Sequence, residues 1–70
     1  MDKNDKDILK LTKLLKHWAN HNDSHKENFL KWRDIAKEKG LTTIVEKLNN
    51  AVKMMDECNI FLLSAHKELK

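Results

Sequence analysis

Apolar positions recur along this chain with the beat of a helix. Ile44, Leu48, Ala51, Met55, Cys58, Leu62, Ala65 and Leu69 are spaced alternately four and three residues apart. Four heptads in phase predict an amphipathic helix. The first half keeps the same spacing through Ile8, Leu11, Leu15, Trp18, Asn22, His25, Phe29, Trp32 and Ala36, where only Asn22 and His25 are polar. Between the halves stands Gly40, the single glycine of a chain without proline. Glycine tolerates the left-handed conformation that ends a helix, and Lys37 and Lys39 suit the negative end of the helix dipole. After it, Thr43-Ile44-Val45-Glu46 fits a capping box with Thr43 as N-cap. The pattern therefore predicts helices over about residues 5–39 and 43–69, all-α, with Met1–Asn4 loose. Asn20-His21-Asn22-Asp23-Ser24 is made of weak helix formers, and Ser24 with Glu27 could start a new helix. The apolar phase does not slip there, which favours one long helix. The alternative is a three-helix bundle with a turn near residues 22–24.

Folding the chain back at Gly40 pairs residues whose numbers add to 80. Ala36 then meets Ile44, Trp32 meets Leu48, Phe29 meets Ala51, His25 meets Met55, Asn22 meets Cys58, Trp18 meets Leu62, Leu15 meets Ala65 and Leu11 meets Leu69. Large residues face small ones in several layers, as antiparallel packing prefers. The expectation is an antiparallel helical hairpin forming a single helical domain over residues 1–70. A second apolar row, including Leu9, Leu14, Leu30 and Ile35 on one arm and Val45, Val52, Met54, Ile60, Phe61 and Leu63 on the other, needs cover. A core this small rarely supplies more than about 3–5 kcal/mol. Dimerisation of two hairpins into a four-helix bundle would supply the missing cover.

Seventy residues exclude a doubly wound sheet or a two-lobed enzyme, and one cysteine excludes an internal disulfide. No apolar run nears the roughly 20 residues a bilayer requires, and the first seven residues lack the apolar centre of a secretion signal. A cytoplasmic location is expected. The net charge is +3, but thirteen of fourteen basic residues are lysines interleaved with acids, and Arg33 is the only arginine. That reads as a solvated surface; the row Lys3, Lys6, Lys10 and Lys13 belongs to it. Nucleic-acid binding, which favours arginine forks and a concentrated basic face, is disfavoured. No glycine-rich phosphate loop and no separated serine–histidine–acid set is present, so catalysis is not expected.

Candidate chemistry lies with histidine. His17, His21 and His25 stand at i, i+4 and i+8, and residues four apart on a helix have Cβ atoms about 5–6 Å apart. Two imidazoles so placed can chelate one zinc, nickel or copper ion. In the folded-back register His66 falls opposite Leu14, one turn from His17, and His21 opposite Asn59. His17, His21 and His66 would border one groove, a three-imidazole set with an open position. Cys58 is a conceivable additional soft ligand. Asn22 and Asn59 would lie around the ligands, and Asp23 and Glu57 could accept imidazole N–H groups. The plainer readings are a polar core residue that fixes register for His25, packing for Cys58, and solvation for His66 near the chain end. Trp18, Trp32, Phe29, Met54 and Met55 read as core or interface.

His17-Trp18-x-x-His21-Asn22-x-x-His25, followed by Phe29, Trp32, Ala36 and the Gly40 turn, resembles a small, poorly characterised helical domain family of archaea and anaerobic bacteria. That family carries H-W-x-x-H-N-x-x-H and a second helix with an Ala-Asn step, here Cys58-Asn59. The resemblance covers about residues 8–69. In some members the domain is appended to a small nickel-binding protein of the kind linked to carbon monoxide dehydrogenase maturation. The resemblance implies metal handling, with His17, His21 and His25 as the matched positions; His66 and Cys58 lie outside the motif. The expected function is a metal-binding carrier, store or sensor for a nickel or zinc ion, acting with a metalloprotein or maturation partner. The alternative is a structural or adaptor bundle for self-association or partner-helix binding, with the histidines as a polar layer.

Overall fold

The computed structural model describes residues 5–69, so the expected loose segment Met1–Asn4 lies outside the described residues. Helix α1 runs Lys6–Glu38 and helix α2 Thr42–Glu68, packed against each other as an antiparallel hairpin. Its extents are 54 × 14 × 12 Å, and its radius of gyration is 16.3 Å. A globule of this length would have about 11 Å. The molecule is a rod one helix pair thick, and the three-helix alternative is not adopted.

Local chemistry sets the helix ends. The Asp5 carboxylate accepts from the backbone N–H groups of Asp7 at 2.8 Å and Ile8 at 3.4 Å, capping the first turn of α1. At the other end Gly40 takes φ 74°, as its lone position between the helices predicts. The Gly40 N–H then reaches the Lys37 carbonyl and the Leu41 N–H reaches the Ala36 carbonyl, the two bonds of a Schellman ending. Leu41 also opens α2, because its carbonyl accepts from the Val45 N–H at 3.0 Å. One residue thus closes one helix and starts the next. This corrects the expected Thr43 cap: α2 begins earlier, and Leu41, its N-cap, offers no side-chain bond.

The expected seam holds in part, with Leu15, Asn22, Phe29 and Ala36 on α1 and Leu48, Ala51, Met55, Leu62 and Ala65 on α2 buried or half-buried, but it is rotated at its edge. On α1 the row facing α2 includes Leu15, Ala19, Asn22, Phe29 and Ala36, with half-buried Thr12, Lys26 and Arg33, while Leu11, Trp18, His25 and Trp32 are exposed. On α2 the facing row runs through Val45, Leu48, Val52, Met55, Asn59, Leu62 and His66. Ile44 and Cys58 are exposed. The register shifts by one or two residues: Asn22 meets Asn59, Lys26 meets Asp56 and Arg33 meets Asn49, pairs adding to 81 or 82, while the expected Asn22–Cys58 pair keeps its contact, Nδ2 to Sγ 3.6 Å. The physical reason is size and polarity. Ala19 is 2% exposed and lets the helices approach closely, where an inward Trp18 would hold them apart. Asn59, 8% exposed, finds its partners only in the rotated register.

That pairing also explains why α1 continues through residues 20–24. Asn22 Nδ2 donates to Asn59 Oδ1 at 3.0 Å, and Asn59 Nδ2 donates to Asp23 Oδ1 at 2.9 Å. Weak helix formers cost about 0.5 kcal/mol each relative to alanine. Each interhelical hydrogen bond returns about 1 kcal/mol, so the pairing offsets the propensity.

Candidate functional site

The middle of α1 carries a ladder of rings at i, i+4 spacing. His17 and His21 have centroids 6.2 Å apart, His21 and His25 4.5 Å, and His25 and Phe29 6.3 Å. The His21 and His25 rings stand nearly perpendicular, at 87°, and their Nε2 atoms approach to 2.9 Å. At that distance one neutral imidazole donates to the other. The same two atoms, each about 2.0–2.1 Å from one ion, would subtend about 90°, the cis angle of a square-planar or six-coordinate ion. A tetrahedral ion would need them to separate by about 0.4–0.5 Å.

The other expected ligands do not join this pair. His66 is half-buried on α2 and lines a shallow groove with His17, Thr12, Lys13, Lys16 and Asn20. The groove shared by His17, His21 and His66 is therefore only partly realised, since His21 is not on it. His25 is exposed and is not a core residue. Cys58 is exposed too, its Sγ accepting from Asn22 Nδ2 at 3.6 Å. Asn22, Asn59 and Asp23 bond to one another across the hairpin instead of bonding imidazoles, and Glu57 is exposed. Among the described residues no three His, Cys, Asp or Glu side chains converge as a metal ion requires.

The two flanks of the hairpin differ. One carries the polar cross-links: Asp23 with Asn59, Lys26 with Asp56 at 2.8 Å, and Arg33 held by Asp34 and Asn49. The hydrogen bond that Lys26 Nζ donates to Asp56, and then the Asp56 charge, raise the Lys26 ammonium above its ordinary range. The opposite flank follows from helix periodicity and carries Leu11, Trp18, His25 and Trp32 on α1 beside Ile44, Cys58, Met54 and Phe61 on α2. Trp32 is 57% exposed and Phe61 75%. Leu9, Ile60 and Leu63 are also exposed but lie off this flank. Trp18 and Trp32 read as core or interface in the sequence pattern, which does not separate the two, and Phe61 reads as part of the second apolar row that needs cover. Val45, Val52, Asn59 and His66 form a seven-residue row that reads in the sequence as an edge of the second helix; what the sequence does not show is the inward partner its asparagine needs.

A family model, a domain of unknown function (DUF8180), matches residues 11–69, spanning both helices, the turn and the histidine ladder. The chain belongs to the DUF8180 family. No curated protein and no solved structure matches it. In this DUF8180 domain no helix of the described residues is long and apolar enough to cross a membrane.

Proposed function

We propose that this DUF8180 domain works by helix association: a hairpin that presents one apolar flank to a second copy of itself and forms a four-helix bundle. The observation that carries this reading is the flank of Leu11, Trp18, Trp32, Ile44, Met54 and Phe61, all exposed in the single chain. The area agrees. The chain exposes 5808 Å². A compact monomer of 8.3 kDa exposes about 4,600 Å². The excess of about 1,200 Å² exceeds the roughly 800 Å² per partner of a stable interface. Sedimentation equilibrium tests this reading. A dimer at micromolar concentration is expected, and a strict monomer would remove the reading.

A second reading, handling of a nickel or zinc ion, is favoured by one observation: the 2.9 Å approach of His21 Nε2 to His25 Nε2. The H-W-x-x-H-N-x-x-H resemblance points the same way. Two imidazoles are half of a tetrahedral set, so this reading needs ligands from elsewhere.

A further inference from the structure

The apolar flank has relief. Along α1 it is a ridge of large side chains, Trp18, His25 and Trp32. Along α2 the row beside the seam is a trough of small ones, half-buried Ala51 and Ala65 with Cys58 between them, walled on its outer side by Met54 and Phe61. The cross-links on the other flank fix the register, with pairs adding to 81 or 82. At that register Trp18 stands level with Ala65, His25 with Cys58, and Trp32 with Ala51, each within about a residue. Two hairpins can cover such flanks in two symmetric ways. With the two-fold axis across the rods, ridge lies on ridge: tryptophan meets tryptophan, and the small row faces the small row across a gap. With the axis along the rods, each ridge enters the partner's trough, large against small at these three levels. Close packing favours the second.

Resting on the self-association reading above, we infer that two copies dock ridge into trough with both turns at the same end, and that each His21–His25 pair there faces Cys58 of the partner subunit, forming two divalent-metal sites divided between chains. The ligand chemistry is coherent. Two imidazole nitrogens are already 2.9 Å apart on one face, and the thiol at their level is exposed on the opposing trough. Two nitrogens and a thiolate with a fourth position for water form a tetrahedral set suited to zinc and accessible to nickel or cobalt. The thiol gives up its proton to solvent on binding, and no electron is transferred. The site is incomplete in one chain, consistent with the absence of a three-ligand cluster among the described residues.

Two measurements on the full chain test this. In a Cys58→Ser background, a spin label at Thr42→Cys reports where the turns lie. Same-end docking places the two labels within the width of a bundle, about 20 Å. Opposite-end docking separates them by nearly the rod length of 54 Å. The second measurement uses Co²⁺ alone as probe. The wild-type chain should give tetrahedral d–d bands with a thiolate charge-transfer band. Cys58→Ser should lose the charge-transfer band, and His21→Ala/His25→Ala should lose both. Mixing these two variants, each lacking the band, should restore it to about a quarter of wild-type intensity, because half the dimers are mixed and each mixed dimer completes one of its two sites. Short label distances with restored intensity support the inference. A dimer with long label distances overturns it and leaves the self-association reading standing, as does a dimer without a cobalt band on mixing. A monomer overturns both.

Discussion

Asn59 shows how one polar side chain fixes the pairing of two helices. It is the buried polar residue of the seam, with its amide donating to Asp23 and its carbonyl accepting from Asn22. Among the described residues no buried side-chain nitrogen or oxygen lacks a partner. Asn59→Ala should cost about 1–3 kcal/mol in urea unfolding, because it removes two hydrogen bonds and leaves Asn22 with only its long contact to the Cys58 thiol. An unchanged midpoint would mean that alanine packing alone sets the register. Lys26 makes a different prediction. Its raised pKa comes first from the hydrogen bond to Asp56 and then from the Asp56 charge. A group raised on folding adds stability in full below its unfolded pKa and loses it as pH climbs through the folded value. The Lys26–Asp56 contribution is therefore complete at neutral pH and fades above about pH 10.5. Lys26→Met should flatten that alkaline loss in a series of denaturation curves, while a loss of the same size in the variant would assign it to other lysines.

At the scale of the elements, the two helices and the turn were legible from spacing and one glycine, whereas the helix faces were not. A four-three repeat reports which residues avoid water, but it does not say whether they avoid it against the other arm or against something else. Trp18 and Trp32 fit the inward row by hydrophobicity, yet Ala19 and Arg33 occupy it, because helices approach over small residues and Asn59 must meet Asn22. Asn59 was visible in the row through Val45 and Val52, but a polar residue among valines reads as an edge until its partner is known. The histidine ladder was legible for the same local reason that the helix was: i, i+4 spacing needs no tertiary information. What His66 and Cys58 do depends on rotation about the helix axis, which the spacing leaves open. The turn gives the element-scale test. Gly40 at φ 74° has open space where a Cβ would point, so Gly40→Ala meets only backbone strain. It should cost about 1 kcal/mol by thermal unfolding, and Gly40→Asn less, since asparagine tolerates the left-handed region. A loss several times larger would show that the turn makes contacts a single chain does not contain.

The whole molecule is a rod whose buried apolar residues, among those described, are Leu15, Ala19 and Ala36. Two alanines and a leucine give little hydrophobic stabilisation, and a chain of this size is marginal even with a compact core. If the aromatic flank finds its cover in a second copy, folding and association are one equilibrium, and stability depends on protomer concentration. The thermal midpoint of the wild-type chain should therefore rise by several degrees over a hundredfold increase in concentration. Trp18→Lys/Trp32→Lys places two charges on the ridge while leaving Asn22, Asn59 and the turn untouched. It should weaken dimerisation at least tenfold, lower the midpoint, and abolish the concentration dependence. Calorimetry of both chains across that range separates the two cases. A wild-type midpoint that ignores concentration means that the hairpin is stable alone and its aromatic flank serves another partner. A midpoint that climbs in the wild type and stays fixed in the double variant assigns the flank to a second copy.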